Sequence, residues 1–171
     1  MSLTTGSPVD EVMRRLSHLI NGSLRPVRQG GCVTTSPPAR ERNVLGDPLE
    51  TASTDPLTGW TRDGTCACAG DPGIHAICAV MTDEFLAHQV STGNDLITPQ
   101  PRFGFPGLRA GDRWCVVAVR WLQAHQDGVA APVVLAATSE RALEVVPLDL
   151  LRAYAVDVPP DLSALMPGAD D

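Results

Sequence analysis

The sequence predicts an α+β fold: a small single domain with short strands, three or four helices and two long functional-looking loops. Three observations predict it. Apolar runs of strand length alternate with short helical patterns that carry their own caps. Turn signals crowd two stretches, 43–72 and 94–111, that are too long to be simple connectors. The chain has 171 residues, 43% hydrophobic and 19% charged, which is ordinary globular composition and enough for one core.

Taken in order, Val9 to Asn21 reads as a short amphipathic helix, with Val12, Leu16, Leu19 and Ile20 on one face and Gly22 as its stop. The stretch 23–42 is rich in Pro, Gly and Arg, lacks any period and reads as a linker; Cys32 lies within it. The body begins at Asn43 and opens with turns at Gly46-Asp47-Pro48, Asp55-Pro56, Thr58-Gly59, Asp63-Gly64 and Gly70-Asp71-Pro72-Gly73. Ile74 to Met81 is a strand-length apolar run, expected to be buried on both faces. Thr82 then caps a helix to about Thr92, with Asp83 and Glu84 in its positive first turn and Gly93 past its end.

A second long loop, Asn94 to Gly111, follows. Asp112 reads as the N-cap of a helix to about Asp127, stopped by Gly128, although Val116, Val117 and Val119 also suit a strand in its first half. Val133–Ala137 and Ala142–Val146 have the pattern of a hairpin joined around Ser139-Glu140. Pro147 suits a first helical position, with Leu148, Leu151 and Tyr154 giving the last helix its apolar side. The organisation expected is an N-terminal helix and basic linker (1–42), a folded domain (43–157) and an acidic tail (158–171).

Charge divides the chain unevenly. The net charge is −7, yet residues 1–42 sum to +3 and the remainder to −10. An acidic body argues against a nucleic-acid groove, because phosphate contacts dominate such affinity. The chain has no lysine, which removes Schiff-base chemistry, lysine-anchored pyridoxal phosphate and the P-loop lysine. No run approaches the roughly 18 apolar residues of a spanning helix, and the start lacks the pattern of a secretory signal. A soluble cytoplasmic protein, with a small molecule as partner and neither membrane nor nucleic acid, is the expectation. Its five cysteines are an odd number, so a disulfide framework is not expected, and buried thiols, a metal site or a reactive thiol remain.

Several motifs together carry a resemblance. Asn43-Val44-Leu45-Gly46, Asp55-Pro56-Leu57-Thr58-Gly59 and Arg62-Asp63-Gly64 open it. His75, Cys78-Ala79-Val80-Met81-Thr82, Gly93-Asn94-Asp95-Leu96 and Phe105-Pro106-Gly107-Leu108 continue it. Gly111-Asp112-Arg113-Trp114-Cys115, Arg120-Trp121 and Ala136-Ala137-Thr138 close it. Over about 43–155 the chain resembles the uncharacterised bacterial family of domain of unknown function 2237 (DUF2237). The resemblance implies a small single-domain α+β protein and supplies no activity.

The chemistry-bearing residues fall into three sets. Cys66, Cys68, His75 and Cys78 have zinc-ligand chemistry in the order C-x-C-x6-H-x2-C. If Ile74–Met81 is a strand, however, His75 and Cys78 point to opposite faces, so no metal and no other cofactor is expected. Cys115, in the first turn of the expected Asp112 helix and near Arg113, has the setting of a lowered-pKa thiol, or else packs beside Trp114 and Val116. His75 is the loop histidine placed to act as base, whereas His88 and His125 fall on helices.

The functional expectation is therefore a small-molecule pocket between the 55–75 and 94–116 segments. His75, Cys78, Cys115 and Asp95 are its catalytic candidates; Asp63, Asn94, Arg113 and Trp114 are its ligand-binding candidates, with Phe103, Phe105 and Trp114 as walls. A noncatalytic metal- or ligand-binding protein, or an interaction module using the basic N-terminal helix, uses the same features. The reaction class is not written in the sequence.

Overall fold

The computed structural model describes residues 41–157. The helix expected at Val9–Asn21, Cys32 and the acidic tail lie outside them. The order is β1 (Ile77–Val80), α1 (Asp83–Ser91), β2 (Arg113–Val116), α2 (Ala118–Gln126) and α3 (Leu148–Ala153), with 3-10 turns at Pro101–Phe103, Leu135–Ala137 and Glu140–Glu144. The fold is α+β, built on a two-stranded antiparallel sheet. No helix of the described residues is long and apolar enough to cross a membrane.

β1 pairs with β2 in the register Ile77–Val116, Cys78–Cys115, Ala79–Trp114 and Val80–Arg113. On its other edge, the Val80 amide donates to the Pro132 carbonyl and the Val134 amide to the Cys78 carbonyl, at 2.8 and 2.9 Å. Pairing on both edges explains why Ile77, Cys78 and Ala79 are wholly buried. The strand is shorter than the apolar run that announces it. Ile74 has φ +54°, a left-handed backbone unusual for a β-branched residue, and it keeps 71–75 in a turn.

α1 forms as its sequence dictates. The Thr82 hydroxyl accepts from the Phe85 amide at 3.1 Å, Asp83 and Glu84 occupy the first turn, and Gly93 takes φ +83° beyond the end. The expected Asp112 helix is corrected. Residues Arg113–Val116 form β2, and the Asp112 carboxylate instead accepts from the Arg109 amide at 2.8 Å. Helix begins only at Ala118, after an uncapped Val117. Of the apolar run, Val116 pairs with β1, whereas Val119 falls inside α2.

The expected hairpin is also corrected. Val133 bridges to Ala79 and to Ala155, after which Leu135–Ala137 and Glu140–Glu144 form 3-10 turns. Side chains take the place of a ladder partner here. Asp157 accepts from the Leu135 and Ala136 amides, both at 2.8 Å, and Ser139 caps the Arg141 amide at 3.3 Å. Pro147 stands one position before α3, as its N-cap rather than its first residue.

Trp121, Phe85, Ile77, Met81, Leu135 and Leu151 form the centre of the core, all fully buried. The Trp121 indole donates to the Ala131 carbonyl at 2.9 Å, so its one polar atom is satisfied while the ring contributes its whole area. α1 and α2 are tied at their ends by the His88 imidazole and the Asp127 carboxylate, 2.8 Å apart. Glu41 and Arg42 join the body although composition assigned them to the linker. The Glu41 carboxylate accepts from the Cys68 amide at 2.9 Å and from the Ser139 hydroxyl at 3.0 Å.

Candidate functional site

The chain between Gly59 and His75 makes one wall of a cleft of about 290 Å³. Asn94, Asp95, Leu96, Gln100, Phe103 and Phe105 make the other, and Trp114 and Cys115 of β2 also line it. Segments 55–75 and 94–116 are thus brought to one concave surface. Among the candidates, His75, Asn94, Asp95, Trp114 and Cys115 line this cleft, together with Gly59 and Arg62. Asp63, Cys78 and Arg113 do not.

His75 is held by a residue that the sequence presents only as a turn former. Asp71 is 3% exposed, and its carboxylate is enclosed by donors. The Gly73 amide donates to Oδ1 at 2.8 Å, the His75 amide to Oδ2 at 2.6 Å, and the His75 ring Nδ1 lies 2.8 Å from Oδ2. Burial by itself would raise the Asp71 pKa; the hydrogen bonds from His75 and Gly73 and the nearby imidazole outweigh it and hold the carboxyl below its ordinary value. An ionised carboxylate only accepts, so Nδ1 carries the proton, and in the neutral imidazole Nε2 presents its lone pair. The ring stacks on Trp60, with centroids 5.5 Å apart. Spacing alone carried a signal for this pair: Asp-Pro-Gly opens a turn, and the residue four positions after the aspartate is the histidine.

Arg62 supplies positive charge. Its guanidinium carbon lies 4.8 Å from the Trp114 ring centroid, a cation–π distance, and it has no carboxylate partner among the described residues. Trp114 in turn meets Phe105 edge to face at 5.3 Å. Arg62 has φ +57° and Ile74 φ +54°. These are the two non-glycine residues with left-handed backbone among those described, and both belong to the His75 wall. Strain of this kind is retained where surrounding structure over-determines it, often at functional sites. Gly59, at φ +95°, packs so tightly on the Thr65 carbonyl that a Cβ has no room.

The opposite wall is anchored from the core. The buried Gln89 accepts from the Asn94 side-chain amide at 2.8 Å, which fixes Asn94 at the cleft. Asp95 accepts from the Ile97 and Thr98 amides through Oδ1, both at 2.9 Å. Hydrogen bonds from Thr98 and Ile97 hold its carboxyl below the ordinary value. Asp63 makes a similar turn with Thr65, at 2.8 Å to both amide and hydroxyl.

The thiol expectations are corrected. Cys115 is not a free thiol in a helix; it lies in β2 and forms a disulfide with Cys66. It has no thiolate to offer, and, against the expectation of no disulfide framework, one disulfide is present. Cys78 is free but wholly buried, and burial pushes its thiol up to about 12, with Arg113 drawing it down and Asp157 pushing it up. Such a thiol is no ready nucleophile toward a bound molecule. The bond also removes Cys66 from the C-x-C-x6-H-x2-C set, and among the described residues no group of three or more His, Cys, Asp or Glu side chains is placed to hold a metal ion. What remains in the cleft is acid–base, cationic and aromatic chemistry.

The family model described as an uncharacterized protein conserved in bacteria (DUF2237) matches residues 42–155. No curated protein matches the chain.

Proposed function

The chain belongs to the DUF2237 family, which brings no reaction with it, and from that premise we propose that the protein is a small-molecule enzyme whose acid–base group is His75. The observation that carries this reading is the Asp71–His75 pair at the cleft wall. A buried carboxylate that fixes the Nδ1 tautomer leaves Nε2 to take a proton from, or return it to, a bound molecule. Arg62 then stabilises negative charge that develops as the proton leaves, and Asn94 and Gln100 orient polar groups. Trp60 and Phe103, 50% and 73% exposed, offer apolar faces that a ligand would cover. Among the described residues the one cysteine lining the cleft, Cys115, is held in a disulfide, which favours proton transfer over covalent catalysis. A purely ligand-binding role uses the same cleft without Nε2.

The experiment begins with ligands from a small-molecule library that raise the melting temperature of the full chain, each then assayed for turnover. His75→Ala is expected to lower kcat by about 10²–10⁴-fold with little change in ligand affinity. Arg62→Ala is expected to weaken binding. Turnover that survives unchanged in His75→Ala refutes the catalytic assignment, and binding lost without any turnover in the parent favours the ligand-binding role.

A further inference from the structure

Three of the four cysteines among the described residues converge on one small buried cluster. Cys66, Cys78 and Cys115 pack together with Ala52, Val134 and Ala137, Cys66 and Cys115 are bonded, and Cys78 is a free thiol beside them. Cys78 is the direct cross-strand partner of Cys115. Neither backbone amide of this pair points at the other strand: Cys78 donates to the Thr138 hydroxyl at 3.1 Å and Cys115 to the Thr58 hydroxyl at 2.8 Å. They therefore form a non-hydrogen-bonded pair, the closer of the two antiparallel kinds, with Cα atoms typically about 4.5 Å apart and both side chains on one face. That span lies within the range a disulfide accepts.

We propose that these three residues form a thiol–disulfide exchange site, in which Cys78 displaces Cys66 from Cys115. The Cys78 sulfur, after losing its proton, attacks the Cys115 sulfur. The Cys78–Cys115 bond forms as the Cys66–Cys115 bond breaks, and Cys66 leaves as a thiolate that takes up a proton. One disulfide and one thiol are present before and after, so no oxidant or reductant is required. Cys68 is not the attacking group: it packs in the main core cluster, and its thiol donates to the Cys66 carbonyl at 3.5 Å. The exchange has a structural consequence. The Cys66–Cys115 bond ties the 55–75 segment to β2, whereas a Cys78–Cys115 bond lies within the sheet and releases that tie. Cys115 lines the cleft, so the state of the bond is written into its wall.

Burial keeps the exchange slow near neutrality. With the Cys78 thiol pushed up to about 12, its thiolate fraction rises about tenfold for each pH unit below that value, and the exchange rate with it. The charged groups that bear on it are Arg113, which favours the thiolate, and Asp157, which opposes it.

The test uses the full chain. Cys66→Ser is oxidised with diamide, quenched in acid, unfolded, alkylated with N-ethylmaleimide at acidic pH and mapped by mass spectrometry. A peptide pair joined through Cys78 and Cys115 is expected in place of the Cys66–Cys115 pair. Cys115 recovered alkylated, or joined to Cys68, overturns the proposal. Should Cys66→Ser fail to give the parent's circular dichroism spectrum, the unsubstituted protein decides. Held at pH 7, 8 and 9 without redox reagents and quenched in the same way, it is expected to yield alkylated Cys66 with Cys78–Cys115 joined, forming about tenfold faster per unit. No such species at pH 9, or alkylated Cys66 released as fast in Cys78→Ser, overturns it.

Discussion

Replacing Asp71 by asparagine tests how the cleft is built. The carboxylate accepts from two backbone amides and one ring nitrogen, at 2.8, 2.6 and 2.8 Å, with its side chain fully enclosed. Asparagine keeps one acceptor oxygen and turns an NH2 group toward backbone amides that cannot accept from it, leaving only the ring nitrogen able to do so by changing tautomer. Hydrogen bonds to a charged group contribute about 1.5–3 kcal/mol each and are not additive, so a loss of about 2–3 kcal/mol is expected for Asp71→Asn and about 3–5 kcal/mol for Asp71→Ala. The effect depends on pH with a fixed sign. The folded pKa lies below the unfolded one, so the carboxylate's contribution is complete above about pH 4 and disappears as pH falls through the folded value. Urea unfolding of the parent and Asp71→Asn from pH 7 down to pH 2 measures it: the gap is expected to stay constant above about pH 5 and to close in acid. Nitrogen NMR of His75 should show Nδ1 protonated in the parent and a shift toward the Nε2 tautomer in the variant. A gap that persists undiminished at pH 2, or an unchanged tautomer, refutes the account of this pair.

Other outcomes follow from the same structure. Gly59→Ala places a Cβ against the Thr65 carbonyl at a φ of +95°, so thermal unfolding should report a loss of about 2–4 kcal/mol, where an ordinary surface glycine would lose little. A chain that starts at Glu41 is expected to unfold cooperatively, as the change of composition near that point implies. Glu41→Ala in the full chain strands the Cys68 amide and Ser139 hydroxyl and is expected to cost about 1–3 kcal/mol in chemical denaturation. Thr82→Ala removes the cap on the Phe85 amide, for a loss of about 1 kcal/mol in the same assay.

Where local chain energetics decide, the residues announce the structure. Thr82 with Asp83 and Glu84 starts α1 and Gly93 ends it because caps and left-handed glycines act within one turn of chain. Crowded prolines and glycines likewise announce the loops that reach the cleft, since those residues restrict their own backbone. Family motifs extend that legibility to the fold class, though not to any reaction. The rest depends on neighbours distant in sequence. Arg113–Val116 has a pattern open to helix or strand, and the edge of β1 settles it as strand. Val133 reads as half of a hairpin until Ala79 and Ala155 take its backbone. Cys66 and Cys115, separated by 49 residues, become one bond only when the loop and β2 are folded together. Asp71 and His75 stand between the two cases: their spacing is visible in the sequence, but the turn that closes it requires Ile74 in a conformation that a β-branched residue adopts only when its surroundings compel it.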